Sequence, residues 1–316
     1  MPQIETVFQK ERFKLMENIK TVCIVLNYND APTAIKLVRK IQKYKAFDKI
    51  IIVDNASTDD SREKLGMLAG TNTMFLRSKR NGGYGSGNNI GLKHAYEVLH
   101  AKYAVIANPD IDFCDEDVIY MSRIMDANSD LAVISPMMKE KGGFGTAPAW
   151  PLRDWFHELC AAGPLMRRLF KKLLNYPASY YKKTLYNNYD KKNLVYVDAV
   201  PGAFLMVRLD IINALGGYDE KMFLYGEENL LAYKIKNAGA RSAVITDRFY
   251  IHNCSSSIKK LFSSLHNRQK LREISTLYYF KKYLRINPIE YACAVIFFKI
   301  TALETLIGEK ILKIKK

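Results

Sequence analysis

Four short apolar runs in the first third of the chain constrain its fold more than any other feature. The runs are residues 21–27, 49–54, 73–77 and 103–107. The first two are continuously apolar, which is typical of strands buried on both faces of a sheet. Helices are predicted between the runs over residues 31–45 and 92–100. Strands that alternate with helices predict an α/β fold with a mostly parallel, doubly wound, Rossmann-like sheet.

Polar residues follow three of these predicted strands at the points where the strands end. They are Asn27 and Tyr28, then Asp54 and Asn55, and then Asn108 and Asp110. In open α/β sheets, ligands bind outside the carboxyl ends of the strands. A single aspartate at a strand end is more often a turn or helix-capping residue. Three polar strand ends in one α/β unit instead predict a binding site.

Residues 81–91 are rich in glycine and asparagine and are predicted to form a loop. A dinucleotide-binding fingerprint needs GxGxxG directly after the first strand. Here Asn88 stands where a third glycine is required, and the segment follows the third strand, which argues against a nicotinamide dehydrogenase. The glycines still allow a ligand to approach the backbone, and a helix beginning near Asn89 offers free N–H groups to an anion. A mobile loop without a ligand is the alternative.

Asp110 and Asp112 occupy alternate positions just after a predicted buried strand. Paired carboxylates suit a hard divalent cation such as Mg²⁺ or Mn²⁺, which usually keeps water and substrate phosphate in its shell. Such a metal would neutralise charge on a departing nucleoside diphosphate. Two aspartates at this spacing are weak evidence alone. The acidic residues 115–117 are expected to open a helix, where they complement its dipole.

Two further segments contain residues that are candidates for catalysis or ligand binding. Glu227 and Glu228 open a predicted helix, either as ordinary dipole partners or as a general base that deprotonates an acceptor hydroxyl. His252 ends a predicted strand beside the hydroxyls of residues 255–257. It is either a structural histidine or a ligand of metal or phosphate.

The net charge of +16 lies in two segments. Residues 163–193 carry eight basic and one acidic side chain, and residues 259–316 carry thirteen and four, so the remainder is neutral. This distribution predicts an anionic surface as partner, either membrane or nucleic acid.

The five cysteines show no metal-binding or disulfide spacing, which favours a reducing compartment and no structural zinc. The polar N-terminus predicts no secretory signal.

Both basic segments have helical features. Residues 165–174 place apolar pairs every four residues beside four cations, which is typical of a helix on a membrane surface, although core packing is the alternative. The apolar run 291–300 is shorter than the roughly 20 residues that span a bilayer. It is therefore expected to lie at the interface, with a lysine-rich tail over residues 310–316. The predicted domain organisation is 1–258, with a basic insertion at about 160–193, followed by a helical region over 259–316.

An ordered set of motifs over residues 20–258 resembles glycosyltransferase family 2 enzymes of the GT-A fold, especially rhamnosyltransferase-like members of bacterial polysaccharide assembly. The matching segments are Val25–Asn29, Ile52–Asp59, Asn81–Gly91, Asn108–Asp110, Gly202–Arg208, Gly216–Glu220, Phe223–Glu228, and His252 with Ser255–Ser257. The resemblance implies an inverting transfer of a sugar from a nucleoside-diphosphate sugar, either dTDP-rhamnose-like or a UDP-sugar. The implied acceptor is a lipid-linked saccharide or a growing cell-surface polysaccharide.

The resemblance also implies roles for individual residues. Donor binding falls to Asn27, Tyr28, Asp54, Asn55, Asn81, Gly82, Gly83, Asn89 and Asn108. Asp110 would hold the divalent metal, either alone or with Asp112, because Asn108 replaces the first carboxylate of the usual motif. His252 would contact the metal or the diphosphate. Glu228 would be the catalytic base with Glu227 beside it, and Gly202 and Ala203 would border the acceptor. The sequence departs from the family where Glu228 replaces the usual aspartate and Leu230 replaces an acidic residue.

These features together predict a cytoplasmic enzyme held peripherally at the inner face of the cell membrane. Its expected partners are a nucleotide-sugar, a saccharide acceptor and an anionic membrane surface, but not nucleic acid. Two alternatives remain. One is a non-catalytic relative that binds nucleotide-sugars, and the other is a nucleic-acid-binding protein that uses the basic segments together with the tyrosines between residues 176 and 189.

Overall fold

The structure is a computed structural model that describes residues 19–140, 143–144, 149–162, 168–169, 194–253 and 264–314. Its elements up to residue 140 are β1 (Thr21–Asn27), α1 (Ala31–Ile41), β2 (Lys49–Asp54), α2 (Ser61–Gly66), β3 (Thr73–Arg77), α3 (Tyr84–Glu97), β4 (Tyr103–Ala107), β5 (Ile111–Asp112), α4 (Asp115–Ala127) and β6 (Leu131–Glu140). The remaining elements are β7 (Gly143–Phe144), α5 (Trp155–Ala162), β8 (Val195–Val197), β9 (Phe204–Arg208), α6 (Leu209–Ala214), α7 (Glu227–Asn237), β10 (Arg241–His252), α8 (Leu265–Tyr279), a π-helical turn (Phe280–Leu284) and α9 (Pro288–Ile314).

The strands form one mixed sheet in the order β3-β2-β1-β4-β9-β6-β10-β5. The predicted parallel arrangement is confirmed for β1 to β4. Beyond β4 the sheet is mixed, because β9 runs antiparallel to both β4 and β6 while β10 is parallel to β6. The antiparallel β9 starts opposite the end of β4, with Phe204 facing Ala107. The residues just before β9 therefore reach the edge where the parallel strands end.

Helices cover both faces of the sheet, as a doubly wound fold requires. On one face, α1 and α4 bury Leu37, Val38 and Met121 against β1, β2 and β4. On the other face, α3, α6 and α7 bury a second set that includes Leu92 and Leu231. Because β1, β2 and β4 are buried on both faces, their apolar runs are continuous rather than alternating. The first helix ends at Ile41, earlier than the predicted residue 45.

The prediction of a loop over residues 81–91 is wrong, because α3 already begins at Tyr84. Glycine disfavours helices, so the composition of this segment suggested a loop. The structure shows that the glycines are needed for close packing instead. A Cβ atom at Gly91 would lie 2.6 Å from Cγ2 of Ile24 on the buried strand β1. Gly83 precedes the helix with a φ of 91°, a conformation that favours glycine.

The C-terminal helices pack against α5 and α7. Phe280 and Phe298, from the π-helical turn and α9, share an apolar cluster with Leu230 of α7 and Leu159 of α5. Asp219, in the turn before α7, accepts hydrogen bonds from the hydroxyls of Tyr278 and Tyr283 at 2.8 and 2.7 Å and from Lys282 at 2.9 Å. The described part of the predicted helical region after residue 259 is therefore docked on α7.

The helix α9 is longer than the apolar run that the sequence suggested. It extends over 27 residues, and its segment Pro288–Gly308 is, by length and composition, apolar enough to cross a membrane. Only 17% of the most apolar window is buried against the protein. The predicted basic helix at 165–174 lies outside the described residues except for Arg168 and Leu169, which are helical and exposed. Residues 255–257 also lie outside them.

Candidate active site

Side-chain amides and a carboxylate gather at the ends of β1 and β2. Asn27 and Asp54 are paired in the register of the two strands, and the Asn27 amide donates to the Asp54 carboxylate at 3.3 Å. Ser57 donates its hydroxyl to the same carboxylate and accepts from Asn27 at 3.2 Å. Three of the four predicted donor residues at these strand ends, Asn27, Asp54 and Asn55, are buried. The sequence therefore identified a real polar cluster at this edge of the sheet.

The turn before α3 closes on this cluster. The Asn55 amide donates to Asn81 Oδ1 at 2.9 Å and to the Gly83 carbonyl at 3.0 Å. Asn81 Oδ1 also accepts from the Gly83 N–H at 3.0 Å. Among the described residues, the side-chain carbonyl oxygens of Asn27 and Asn55 have no hydrogen-bond partner although both are buried. A buried acceptor without a partner is costly, so these oxygens fit a ligand that donates hydrogen bonds.

A backbone contact holds the turn at Gly83 against the segment that precedes the two glutamates. The Tyr84 N–H donates to the Phe223 carbonyl at 3.1 Å. A Cβ atom at Gly83 would collide with that carbonyl, and one at Gly82 would collide with Ser86. Both glycines are therefore required by packing, and their predicted contact with the donor stays a prediction.

Asp110 and His252 lie next to each other although 142 positions separate them in sequence. The antiparallel pairing of β5 with β10 places His252 opposite Ile111, and His252 Nε2 lies 3.4 Å from Asp110 Oδ2. Their side chains are 21% and 11% exposed, so both line a partly enclosed site. The structure thus brings together two of the three predicted metal ligands. Among the described residues, no group of three or more His, Cys, Asp or Glu side chains is placed to hold a metal.

The structure does not bring Asp112 to this pair. Its carboxylate forms an ion pair with Lys40 of α1 and is 52% exposed. Lys40 also donates to the Phe113 carbonyl at 3.0 Å, which fixes the ammonium at that surface. The cation already neutralises Asp112, so the arrangement corrects the expectation of a three-residue set and leaves Asp110 and His252 as the candidate ligands.

Glu227 and Glu228 form the first turn of α7 and are largely shielded from solvent. Gly226, in the left-handed conformation with φ of 88°, directs the chain into this helix. Burial raises the pKa of both carboxyl groups, and the charge of Glu228 raises the pKa of Glu227 further. Glu228 Oε1 accepts from the Gly202 N–H at 3.3 Å, while Glu227 Oε1 has no partner among the described residues. A buried carboxyl group whose pKa is raised is suited to taking up a proton.

Gly202 and Ala203 lie between the carboxylates and the end of β4. The Gly202 carbonyl accepts from the Tyr84 hydroxyl at 2.6 Å, and the Ala203 carbonyl accepts from the Asn108 N–H at 2.9 Å. A Cβ atom at Gly202 would lie 2.9 Å from Glu228 Oε1. This segment therefore links the predicted base, the glycine-rich turn and Asn108 by hydrogen bonds. That Gly202 and Ala203 border the acceptor stays a prediction.

Asn89 has a different environment from the other predicted donor residues. Its amide donates to the Tyr218 carbonyl at 2.9 Å and to Glu220 at 3.0 Å, and its Oδ1 accepts from the Tyr218 N–H at 2.9 Å. The side chain therefore fixes the turn before α7. Tyr28 is half-buried directly after β1.

Sequence reasoning missed the contacts that Tyr84 makes with the segments around Gly202 and the two glutamates. Its hydroxyl contacts Gly202, its backbone contacts Phe223, and its ring packs edge-on against Tyr218 with centroids 6.0 Å apart. The only signal was its position inside the glycine-rich motif. A second missed contact is the Trp150 indole, which donates to Asn229 Oδ1 at 2.6 Å, one residue beyond Glu228. No sequence spacing joins residues that are 79 positions apart.

Comparison with known proteins agrees with this architecture. Residues 22–198 match the family model described as "Glycosyl transferase family 2". The chain is 23% identical over 214 residues to the "Low-salt glycan biosynthesis hexosyltransferase Agl10" of Haloferax volcanii, covering 67% of this chain and 60% of that protein. The chain therefore spans about 60% of the length of this curated relative.

Two solved structures share the fold. One is the mannosyltransferase PcManGT from Pyrobaculum calidifontis in complex with GDP-Man and Mn²⁺, with a TM-score of 0.54, 16% identity, and coverage of 92% of this chain and 74% of that one. The other is GalNAc-T7 with UDP, GalNAc and Mn²⁺, with a TM-score of 0.54, 14% identity, and coverage of 74% and 44%. At these identities the likeness establishes a GT-A type fold. Because the family model covers more than half of the chain, and the predicted motifs lie at one edge of such a sheet, this protein belongs to glycosyl transferase family 2.

Proposed function

We propose that this protein transfers a hexosyl unit from a nucleoside-diphosphate sugar to a hydroxyl of a saccharide acceptor, with inversion at the anomeric carbon. Glu228 removes the proton from the acceptor hydroxyl as its oxygen attacks the anomeric carbon. The bond from that carbon to the diphosphate breaks in the same step. The donor is a dTDP-rhamnose-like or UDP-sugar, and a GDP-sugar is a third candidate because of the neighbour that holds GDP-Man.

The observation that carries this proposal is the Glu227–Glu228 pair, which contacts Gly202 through Glu228, together with the polar strand ends at the same edge of the sheet. Burial raises the pKa of both carboxyl groups, which favours proton uptake. The acceptor oxygens of Asn27 and Asn55, which are buried without a partner among the described residues, suit the N–H and O–H groups of a nucleoside. A base and donor-binding groups at one sheet edge are what a single displacement needs.

Asp110 and His252 would hold the divalent metal. The pair offers one carboxylate and one imidazole nitrogen, and it fits Mn²⁺ or Mg²⁺ because these ions commonly complete their shells with water and substrate phosphate. When bound, the ion would stabilise negative charge on the departing diphosphate. Two solved neighbours with this fold contain Mn²⁺, which supports the same choice of metal.

The proposal is tested with UDP-glucose, GDP-mannose and dTDP-rhamnose in the presence of Mn²⁺. Release of the nucleoside diphosphate and thermal stabilisation by each donor are measured for wild type and for Glu228→Gln. The glutamine keeps an oxygen to accept from Gly202 but cannot take the proton, so turnover should fall by about 10²–10⁴-fold while donor binding persists. Glu97→Gln, at the exposed end of α3, is the matched control. Undiminished turnover in Glu228→Gln would exclude the proposed base, and the absence of turnover with every donor would exclude the function.

We further propose that the protein works at the cytoplasmic face of an anionic membrane, with α9 lying in the interface and the acceptor carried on a lipid. One stripe of α9 is apolar and 49–77% exposed, and it is formed by Ile289, Ile296, Ile300, Leu303 and Ile307. The opposite side is buried against α8, where the Thr301 hydroxyl donates to Glu273 at 2.9 Å. A helix that is packed on one side and apolar on the other suits an interfacial position better than a spanning one. The four described cysteines are unpaired, which supports a reducing compartment.

A further inference from the structure

The turn that leads into the two glutamates has an uncommon backbone conformation. Tyr225 and Gly226, the two residues before Glu227, both have positive φ values, of 72° and 88°. Glycine adopts this conformation freely, but a bulky residue such as tyrosine does so only at a cost in free energy. Such a conformation persists only where the surrounding structure holds it. The contacts of this turn therefore bear on how α7 begins and on where its first residues lie.

Two consecutive carbonyl groups of this turn are held by distant parts of the chain. The Phe223 carbonyl accepts from the Tyr84 N–H of α3 at 3.1 Å. The next carbonyl, that of Leu224, accepts from the Ser275 hydroxyl of α8 at 2.9 Å. Ser275 is only 6% exposed, so this hydroxyl bonds to the turn rather than to solvent. The backbone is therefore fixed by α3 and by α8 directly before the residues with positive φ.

The side chain of Tyr225 is held by the same helix. The Arg272 guanidinium of α8 lies 4.6 Å from the centre of the Tyr225 ring, within the range of a cation–π contact. Arg272 and Ser275 are three positions apart, and residues at this spacing lie on one face of a helix. One face of α8 therefore contacts both the backbone and the side chain of the turn.

The position of the candidate base depends on this turn because α7 begins directly after it. Glu228 is the second residue of α7, and its Oε1 accepts from the Gly202 N–H at 3.3 Å. That distance exceeds the usual range of about 2.7–3.2 Å, so the bond places little constraint on the carboxylate. The direction in which α7 leaves Gly226 therefore largely determines where this carboxylate lies.

We propose that Arg272 and Ser275 are positioning residues for Glu228, which they affect by holding the turn before α7. The proposal rests on the proposed function, in which Glu228 takes the proton from the acceptor hydroxyl. A displacement of a reacting group by about 1 Å can lower a rate by on the order of 100-fold. The polar cluster at the ends of β1 and β2 bonds instead to the turn before α3. Loss of the α8 contacts should therefore lower kcat without changing donor binding.

The test measures kcat and KM for release of the nucleoside diphosphate from UDP-glucose, GDP-mannose and dTDP-rhamnose in the presence of Mn²⁺. Ser275→Ala removes the hydroxyl and should lower kcat by about 10- to 100-fold. Arg272→Met removes the cation and should lower kcat by about three- to fivefold. Because Arg272 is exposed, this second variant keeps the test valid even if Ser275→Ala does not fold. KM and thermal stabilisation by the donor should match wild type in both variants.

Two matched controls come from the same helix. Thr276→Ala removes a hydroxyl that donates to the Arg272 carbonyl within α8, and Lys270→Met removes another exposed cation. Both controls should release the nucleoside diphosphate as wild type does, because neither change removes a described contact with the turn.

A second background separates positioning of the base from a general effect on the fold. Once Glu228→Gln has removed the base, Ser275→Ala and Arg272→Met should lower the remaining rate no further, because residues that act as a unit have non-additive effects. Equal proportional losses in the two backgrounds would overturn the proposal. Wild-type kcat in both single variants would overturn it as well.

Hydrogen exchange of residues 220–230 tests the same contacts without requiring turnover. Exchange there should be faster than in wild type for Ser275→Ala and Arg272→Met, and unchanged for the two controls. Unchanged exchange in both variants would show that α8 does not hold the turn. Absence of nucleoside diphosphate release by wild type with every donor would instead exclude the proposed function, and with it the role of the turn in transfer. The two failures are therefore distinguishable.

Discussion

At the scale of single residues, Glu227 gives the fold a dependence on pH. Burial and the charge of Glu228 raise the pKa of its carboxyl group, so the native state binds more protons than the unfolded state between pH 4.5 and about pH 8. Stability linked to a raised pKa is present at low pH and is lost as the pH rises. We expect Glu227→Gln to become progressively more stable than wild type across this window, by on the order of 1–3 kcal/mol.

Thermal unfolding of both proteins at several pH values measures this difference. Glu97→Gln, which alters an exposed carboxylate on α3, is the control and should leave the unfolding temperature close to that of wild type. Parallel pH profiles for Glu227→Gln and wild type would show that burial of this carboxyl group does not affect folding.

Asp110 and Asp112 provide a matched pair for testing the metal site. Asp110 faces His252, whereas Asp112 is neutralised by Lys40 at the surface. We expect Asp110→Asn to weaken Mn²⁺ binding by at least about tenfold, in the range that loss of a ligand or its supporting group commonly produces. Asp112→Asn should bind Mn²⁺ as wild type does. Electron paramagnetic resonance of free Mn²⁺ measures this binding without requiring turnover, and equal losses in the two variants would contradict the assignment.

The same two aspartates show how far single residues could be predicted. The polar ends of β1, β2 and β4 could be located because an apolar run followed by a polar residue marks the end of a buried strand. The sequence could not separate Asp110 from Asp112, since the distinction depends on Lys40, 72 positions away. It also could not place Asn89, whose amide holds the turn at Tyr218 across 129 positions. Both outcomes depend on tertiary contacts that local spacing does not encode.

At the scale of elements, helix α3 forms despite its glycines because the helix must approach β1 closely. Gly91→Ala would place a methyl group 2.6 Å from Ile24 Cγ2, and a buried isoleucine has little freedom to rotate away. We expect a loss of about 1–3 kcal/mol from overpacking, which exceeds the gain of up to about 1 kcal/mol in helix propensity.

Gly308 of α9 is the matched control for this substitution. Nothing lies within 4 Å of the position that its Cβ would occupy, so Gly308→Ala should leave stability unchanged or raise it slightly. Urea unfolding compares the two variants. Stabilisation by Gly91→Ala would mean that α3 can move away from the sheet.

The prediction of a loop over residues 81–91 was incorrect because it did not take into account the close packing of α3 on β1. Intrinsic propensity favours a loop for a segment with this glycine content, and tertiary packing overrides that preference. The apolar strands were predictable because burial on both faces leaves a continuous signal that needs no partner information. The insertion of the antiparallel β9 between β4 and β6 was not predictable, since it depends on pairing between strands about 100 positions apart.

At the scale of the whole molecule, two sheet features assemble the site from distant parts of the chain. The antiparallel β9 carries Gly202 and Ala203 to the end of β4, and the pairing of β5 with β10 carries His252 to Asp110. The C-terminal helices then dock on α7 through Leu230 and the Phe280–Phe298 pair. The helix that begins with Glu227 and Glu228 and the exposed face of α9 are thereby joined through one packed unit.

Because α9 is packed on one side and apolar on the other, we expect membrane binding to depend on α9 and not on the protein surface in general. Ile296 and Ile300 are 60% and 61% exposed on its apolar stripe, and burying each side chain in an interface contributes about 1.5–3 kcal/mol. We expect the double substitution Ile296→Glu and Ile300→Glu to weaken sedimentation with vesicles of phosphatidylcholine and phosphatidylglycerol by about 100-fold or more. Met67→Glu, which alters a 76% exposed apolar side chain on the catalytic half, should sediment as wild type does.

Binding should also fall when phosphatidylglycerol is left out or when salt is raised, because each cation near an anionic leaflet contributes on the order of 1 kcal/mol. Residues 259–316 carry thirteen basic side chains against four acidic ones, so this electrostatic contribution is expected to act together with the apolar stripe. Failure of wild type to sediment with anionic vesicles would exclude the membrane location. Sedimentation of the double variant at the wild-type level would place the membrane contact elsewhere on the protein. If the double variant transfers sugar to a water-soluble glycoside as wild type does, then α9 positions the enzyme at the membrane without taking part in transfer.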